Sequence, residues 1–163
     1  MEAITGEIEK ALAAGLYFLA IVSTLTLPDI CSALESPNGE TTRQKYKDWC
    51  DAWISMYPEI TSLDLWSLRC GVLHQGRLGH AAMQYGRILF TVPNRNGNFF
   101  HRNVINDALN LDAITFCRDV LQCVAVWYAA KQSDIHVQAN LPRLLKFRLN
   151  GLAPYMVGIP LIA

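Results

Sequence analysis

Arginine grips an anion through a rigid fork of N–H donors, and histidine is the side chain that moves a proton near neutral pH. Two places in this sequence set one shortly before the other: Arg69 and His74 are five positions apart, Arg95 and His101 six. With nine arginines and four histidines in 163 residues, about 0.7 pairs of such spacing are expected by chance, so spacing selects neither. Context does. Arg95 and His101 flank Asn96-Gly97-Asn98, which is turn chemistry. Arg69 and His74 lie instead in Leu65-Trp66-Ser67-Leu68-Arg69-Cys70-Gly71-Val72-Leu73-His74-Gln75-Gly76. A capping box, Thr61-Ser62-Leu63-Asp64, precedes that segment and Gly76 stops it, which predicts a helix over about 62–75. Five residues on a helix rise about 7.5 Å and leave two side chains roughly 140° apart, so the pair meets only if the long Arg69 bends round or the last turn frays. Other catalytic signatures are absent: no Gly-x-Ser-x-Gly, no Walker loop, no His-Glu-x-x-His and no Gly-rich dinucleotide turn. The histidines are scattered and the acids lie elsewhere, so neither a metal nor another cofactor is expected.

The string aromatic-x-Leu-Arg-Cys-x-x-Leu-His-x-Gly resembles the signature helix of the HEPN superfamily, an Arg followed by His after four to six residues. It is similar to a bacterial branch of HEPN-like proteins, and the likeness runs through Leu27-Pro28-Asp29-Ile30-Cys31 and Phe116-Cys117-x-Asp119 to the Gly-Ile-Pro tail. The resemblance implies a HEPN-like helical bundle, a homodimer in which this helix faces its mate, and metal-independent cleavage of RNA. In that chemistry His74 transfers a proton at the 2′-hydroxyl or the leaving oxygen, and Arg69 holds the phosphate as its charge grows. The product is a 2′,3′-cyclic phosphate. A toxin or defence effector, held by a cognate antitoxin or another partner protein, is the implied setting. One position departs from the pattern: Cys70 follows the arginine where active members often place Asn, Asp or His, and a thiol poorly replaces an amide in orienting phosphate. The alternative is therefore a non-catalytic HEPN-like module that binds RNA, a nucleotide or a protein partner.

The elements that must position the pair read as mainly helical: about five helices in one domain, 1–163, with a short β-hairpin near 87–104. Residues 3–26 read as a first long helix, and Pro28 to Leu34 as a separate turn with proline at its start. From Thr41 or Thr42 to Tyr57, Tyr46, Trp49, Cys50, Trp53, Ile54 and Tyr57 form a helical stripe that Pro58 closes. Arg87 to Val92 is rich in β-branched and aromatic residues, and Phe99-Phe100-His101 follows a turn, which suggests the hairpin. Asp112 caps a helix reaching Lys131, striped by Phe116, Val120, Val124, Trp127 and Tyr128. A basic helical piece spans Pro142 to Leu149, and an apolar extended tail docks on the surface or on a second subunit.

Composition sets the outer bounds. A hydrophobic fraction of 52% with 17% charged residues excludes general disorder and favours apolar surface buried against another copy. The five cysteines form no Cys-x-x-Cys pair and fit free thiols in a reducing, cytoplasmic compartment. Glu2, Glu7 and Glu9 argue against a secretory leader. The uncharged run Ala11 to Leu27 is short for a membrane span and reads as a central bundle helix, a membrane-associated protein being the competing reading. Net charge is zero but unevenly placed: residues 1–64 carry −6, and residues 65–106 carry five arginines and no acid. Within that stretch Arg77, Arg87 and Arg102 are the candidate substrate-binding residues, as a patch for RNA phosphates. Alternatively, the basic middle pairs with the acidic first third.

Overall fold

The computed structural model describes residues 1–78, 83–94 and 96–163; His80 and Arg95 therefore lie outside the described residues. Among the described residues six helices carry the fold: α1 (Glu2–Ala13), α2 (Tyr17–Leu34), α3 (Arg43–Trp53), α4 (Ser62–Gln75), α5 (Ala113–Lys131) and α6 (Ile135–Asn140). A small sheet, β1 (Arg87–Thr91), β2 (Asn103–Ile105) and β3 (Ala108–Asp112), sits between α4 and α5 in sequence. After a 3-10 turn at Leu141–Arg143 come four two-residue strands, β4 (Phe147–Arg148), β5 (Gly151–Leu152), β6 (Met156–Val157) and β7 (Leu161–Ile162).

The first helix expected over 3–26 is two helices. Gly15 takes a left-handed φ of 73°, a conformation that glycine adopts without a Cβ penalty, and the chain turns there. Proline 28, expected to begin a separate turn, lies inside α2. Its missing N–H leaves the Thr24 carbonyl without its helical partner. One residue along, the buried Tyr46 hydroxyl donates to the Leu25 carbonyl at 3.0 Å. Packing carries the helix through the fault: Ala20, Ile21, Leu25, Leu27, Cys31 and Leu34 are all buried, and full burial of such a side chain contributes roughly 1.5–3 kcal/mol. Helix α2 contacts α1, α3, α4, α5 and α6, and is the bundle's central element. It is also a helix long and apolar enough to cross a membrane, but more than half of it is covered by the rest of the fold.

Caps fix the starts of α3, α4 and α5 close to where the sequence places them. Thr42 accepts from the Lys45 N–H to start α3, Asp112 from the Thr115 N–H to start α5. The capping box of α4 is complete in both directions, and Gly76 closes that helix with φ 62°. Helix α3 stops at Trp53, short of Pro58, because Ile54 leaves helical geometry. Its stripe still packs: Trp49 meets Trp127 of α5 edge to face at 6.2 Å.

The hairpin expected across 87–104 is not the pairing that forms. The order is β1-β3-β2, with β1 parallel to β3 and β2 antiparallel to it. The true hairpin joins β2 to β3 through Asn106-Asp107, both at positive φ (48° and 63°), the backbone that a two-residue primed turn demands. Ile88, Leu109 and Leu111 bury the sheet's inner face, and Phe90 meets Phe116 of α5 at 5.1 Å. The helix expected from Pro142 to Leu149 is a single 3-10 turn followed by extended chain.

Candidate functional site

Helix α4 is held on one side by Leu65, Leu68 and Val72, all buried, and at its start by Asp64. That carboxylate is fully buried and accepts from Thr61 N–H (2.9 Å), the Thr61 hydroxyl (2.7 Å) and Gln84 N–H (2.8 Å). The helix is thus fixed at its N-terminus, while its last turn is open to solvent from Leu73 onward.

Arg69 and His74 come together there. Arg69 Nη1 lies 3.3 Å from His74 Nε2, so the long side chain spans the angle between them. A guanidinium only donates; Nε2 is therefore the acceptor and the imidazole proton sits on Nδ1. Arg69 is itself held from behind. Its Nε donates to Asp29 Oδ2 of α2 at 2.7 Å, with the two side chains 20% and 11% exposed, and its guanidinium carbon lies 5.1 Å from the Trp66 ring centre, one helical turn back. Burial works against the Arg69 charge, but the bond to Asp29 and its negative charge, with a smaller contribution from the adjoining Cys70 thiol, hold its pKa above the usual arginine value. Asp29 is pushed up as well, which for a carboxylate favours the neutral form. Partial burial raises its pKa, and the Arg69 hydrogen bond and charge bring it only part of the way back. Its second oxygen, Oδ1, is buried with no hydrogen-bond partner among the described residues.

The remaining expected residues are distributed differently. Arg77 follows Gly76, exposed, with its Nε donating to Gln75 at 2.7 Å. Arg87 is exposed at the start of β1. Arg102 is engaged elsewhere: it forks onto Glu59 at 2.5 and 3.0 Å and lies over the Tyr57 ring at 5.6 Å. It belongs to a second polar network. Tyr57 donates to Asp119 at 2.6 Å, and Asp112 N–H donates to His101 Nδ1 at 3.1 Å. That acceptor role places the His101 proton on Nε2, 3.5 Å from the Tyr57 oxygen. Burial pushes the Tyr57 phenol up, and its bond to Asp119 pushes it further. His101 thus works within the fold, while its sequence partner Arg95 lies outside the described residues.

Two ion pairs, Arg69–Asp29 and Arg102–Glu59, join the basic middle to the acidic first third. Asp29 is the residue that sequence reasoning missed. The signal was present, since Leu27-Pro28-Asp29 belongs to the string that carries the resemblance, but nothing local ties it to a residue 40 positions later. Among the described residues no three His, Cys, Asp or Glu side chains converge as a metal-holding group. No family model, curated protein or solved structure matches this chain.

Proposed function

We propose that the chain is a HEPN-like, metal-independent ribonuclease of the cytoplasm whose working groups are Arg69 and His74. The observation that carries this reading is the 3.3 Å approach of an anchored guanidinium to an exposed imidazole at the open end of a firmly capped helix. A phosphodiester entering between the two takes over the Arg69 N–H and frees the Nε2 lone pair. His74 then removes the proton from the ribose 2′-hydroxyl. The 2′-oxygen bonds to phosphorus, the P–O5′ bond breaks, and the departing oxygen gains a proton. Arg69 offsets the charge on the phosphoryl oxygens throughout. The products are a 2′,3′-cyclic phosphate and a 5′-hydroxyl, so DNA is not a substrate. The exposed Arg77 and Arg87 extend the phosphate contacts, and Arg102 joins them only by exchanging Glu59 for phosphate. In this reading α4 of a second copy faces the first, and a cognate antitoxin or similar partner protein controls the site by covering the His74 end of α4.

The second reading, a non-catalytic module binding RNA, a nucleotide or a protein, is favoured by one observation: the side chain flanking Arg69 is the Cys70 thiol, not an amide. One experiment separates them. Wild type, Arg69→Ala and His74→Ala are incubated with total RNA in EDTA, and product ends are mapped. Wild type should yield cyclic-phosphate ends, and His74→Ala should be slower by about 10²–10⁴-fold. Absent cleavage, or cleavage unchanged in the variant, sinks the ribonuclease reading; retention of RNA on a filter without cleavage supports the second.

A further inference from the structure

Residues 101 and 102 are pinned to the rest of the fold by three contacts, and two of those depend on a proton. The His101 Nδ1 lone pair accepts from the Asp112 N–H at 3.1 Å, at the point where β3 gives way to α5. The Arg102 N–H donates to the Asn110 carbonyl at 2.8 Å. The Arg102 guanidinium forks onto the Glu59 carboxylate and lies over the Tyr57 ring. Arg102 meanwhile takes φ 59°, left-handed backbone that a residue with a Cβ adopts only at a cost. The segment is therefore strained, and its surroundings hold it in place.

The His101 contact is the one that ordinary changes of pH can undo. A neutral imidazole accepts at one nitrogen, whereas an imidazolium carries an N–H on both and accepts at neither. Taking up a proton sets two donors face to face at the Asp112 amide, so ring and amide must part. Among the described residues, the titratable and charged groups around the ring come from three places. Tyr57 and Glu59 follow α3, Asp112 and Asp119 belong to the start of α5, and Arg102 is next in the chain. Each acid is already engaged: Asp112 by Thr115, Asp119 by Tyr57, Glu59 by Arg102. An imidazolium drawn toward Asp119 or Glu59 competes with those bonds and still leaves the Asp112 N–H without its acceptor.

We propose that His101 is a proton-operated latch: neutral, it holds the strained Arg102 segment against the start of α5, and protonated, it lets that segment go. The closed form lacks the proton and the open form binds it. The latch is therefore firmest at high pH, and its opening constant rises up to about tenfold for each pH unit of acidification. An open segment leaves Arg102 free to exchange Glu59 for phosphate; that consequence rests on the RNA reading, and the latch does not. Amide exchange followed by NMR tests it on the whole chain between about pH 8 and pH 5, the span in which an imidazole changes charge. Rates are corrected for their intrinsic dependence on pH. In wild type the Asp112 and Arg102 amides should lose protection together, over the range in which the NMR shift of His101 Nδ1 reports its protonation. In His101→Asn, whose side-chain oxygen accepts but gains no proton, protection should stay level. If that oxygen falls short of the amide, Asp112 is unprotected at every pH, and the coincidence of the wild-type midpoints decides alone. Wild-type protection that ignores pH overturns the proposal, as does a loss confined to Asp112, a loss displaced from the His101 midpoint, or an equally steep loss in His101→Asn. Helix content that falls over the same range in circular dichroism also overturns it, because the whole fold is then opening.

Discussion

Asp29 has two oxygens with unequal fates: Oδ2 takes Arg69, while Oδ1 is buried without a partner among the described residues. The pair therefore organises the site without being a free gain in stability, since desolvation can exceed the Coulomb attraction of a buried pair. The sign follows from the raised carboxyl pKa. A carboxyl whose folded pKa exceeds its unfolded value favours folding below the ordinary value of 3.8, and that contribution is lost as pH rises through the folded value. Relative to Asp29→Asn, which carries no proton to lose, wild type should thus lose unfolding free energy as pH rises from about 3.5 toward neutrality. Urea melts of both proteins across that range give the difference; a difference that grows with pH would mean that the ion pair outweighs burial. The same substitution removes the anion behind Arg69, so in the RNA assay Asp29→Asn should weaken cleavage and Asp29→Glu should recover part of it.

At the scale of the element, α4 depends on its first turn. Thr61 and Asp64 satisfy each other's donors, and Asp64 also ties down Gln84, beyond the helix's far end in sequence. Thr61→Ala removes one cap and should cost about 1 kcal/mol. Asp64→Ala strands three donors that meet one buried carboxylate, and bonds to a charged group contribute about 1.5–3 kcal/mol each, so a loss of at least about 2 kcal/mol is expected. Chemical denaturation measures both, and equal effects would show that the Gln84 link carries nothing. Helix α2 teaches the opposite lesson. Its proline interrupts the ladder, yet the element persists because the buried Leu25, Leu27 and Cys31 and the Tyr46 hydroxyl support the chain there. Local propensity places a boundary at Pro28, and tertiary packing overrides it.

Across the whole molecule the thiols report the core. Cys31, Cys50, Cys117 and Cys123 are buried, and Cys70 is half-buried beside Arg69. Burial pushes the Cys117 and Cys123 thiols up to about 11, and Cys31 and Cys50 are raised as well. Iodoacetamide at neutral pH should therefore modify Cys70 first in the native protein and all five thiols in guanidinium, as read by peptide mass spectrometry. Early labelling of Cys117 would contradict the burial of α5 against α2. The arginines behave with similar selectivity: the acid-free stretch does not become one uniform basic face, because Arg69 and Arg102 pair with acids from the first 64 residues, Arg102 at the surface, while Arg77 and Arg87 stay exposed.

The sequence by itself determined the mainly helical class, the caps at Thr61 and Asp112, the stop at Gly76 and the apolar stripes of α3 and α5. Each of these depends on residues three or four positions apart, a range over which backbone geometry alone dictates who meets whom. Tertiary structure alone decided the rest. Strand β3 reads Ala-Leu-Asn-Leu-Asp, with little strand propensity, and is held as the middle strand by β1 and β2 on either side. Arg69 and Asp29 are brought together across 40 residues by the packing of α2 on α4. The contact between Arg69 and His74 lies between these cases: the spacing allowed it, and the anchor on Asp29 together with the Trp66 ring aims the guanidinium toward the imidazole.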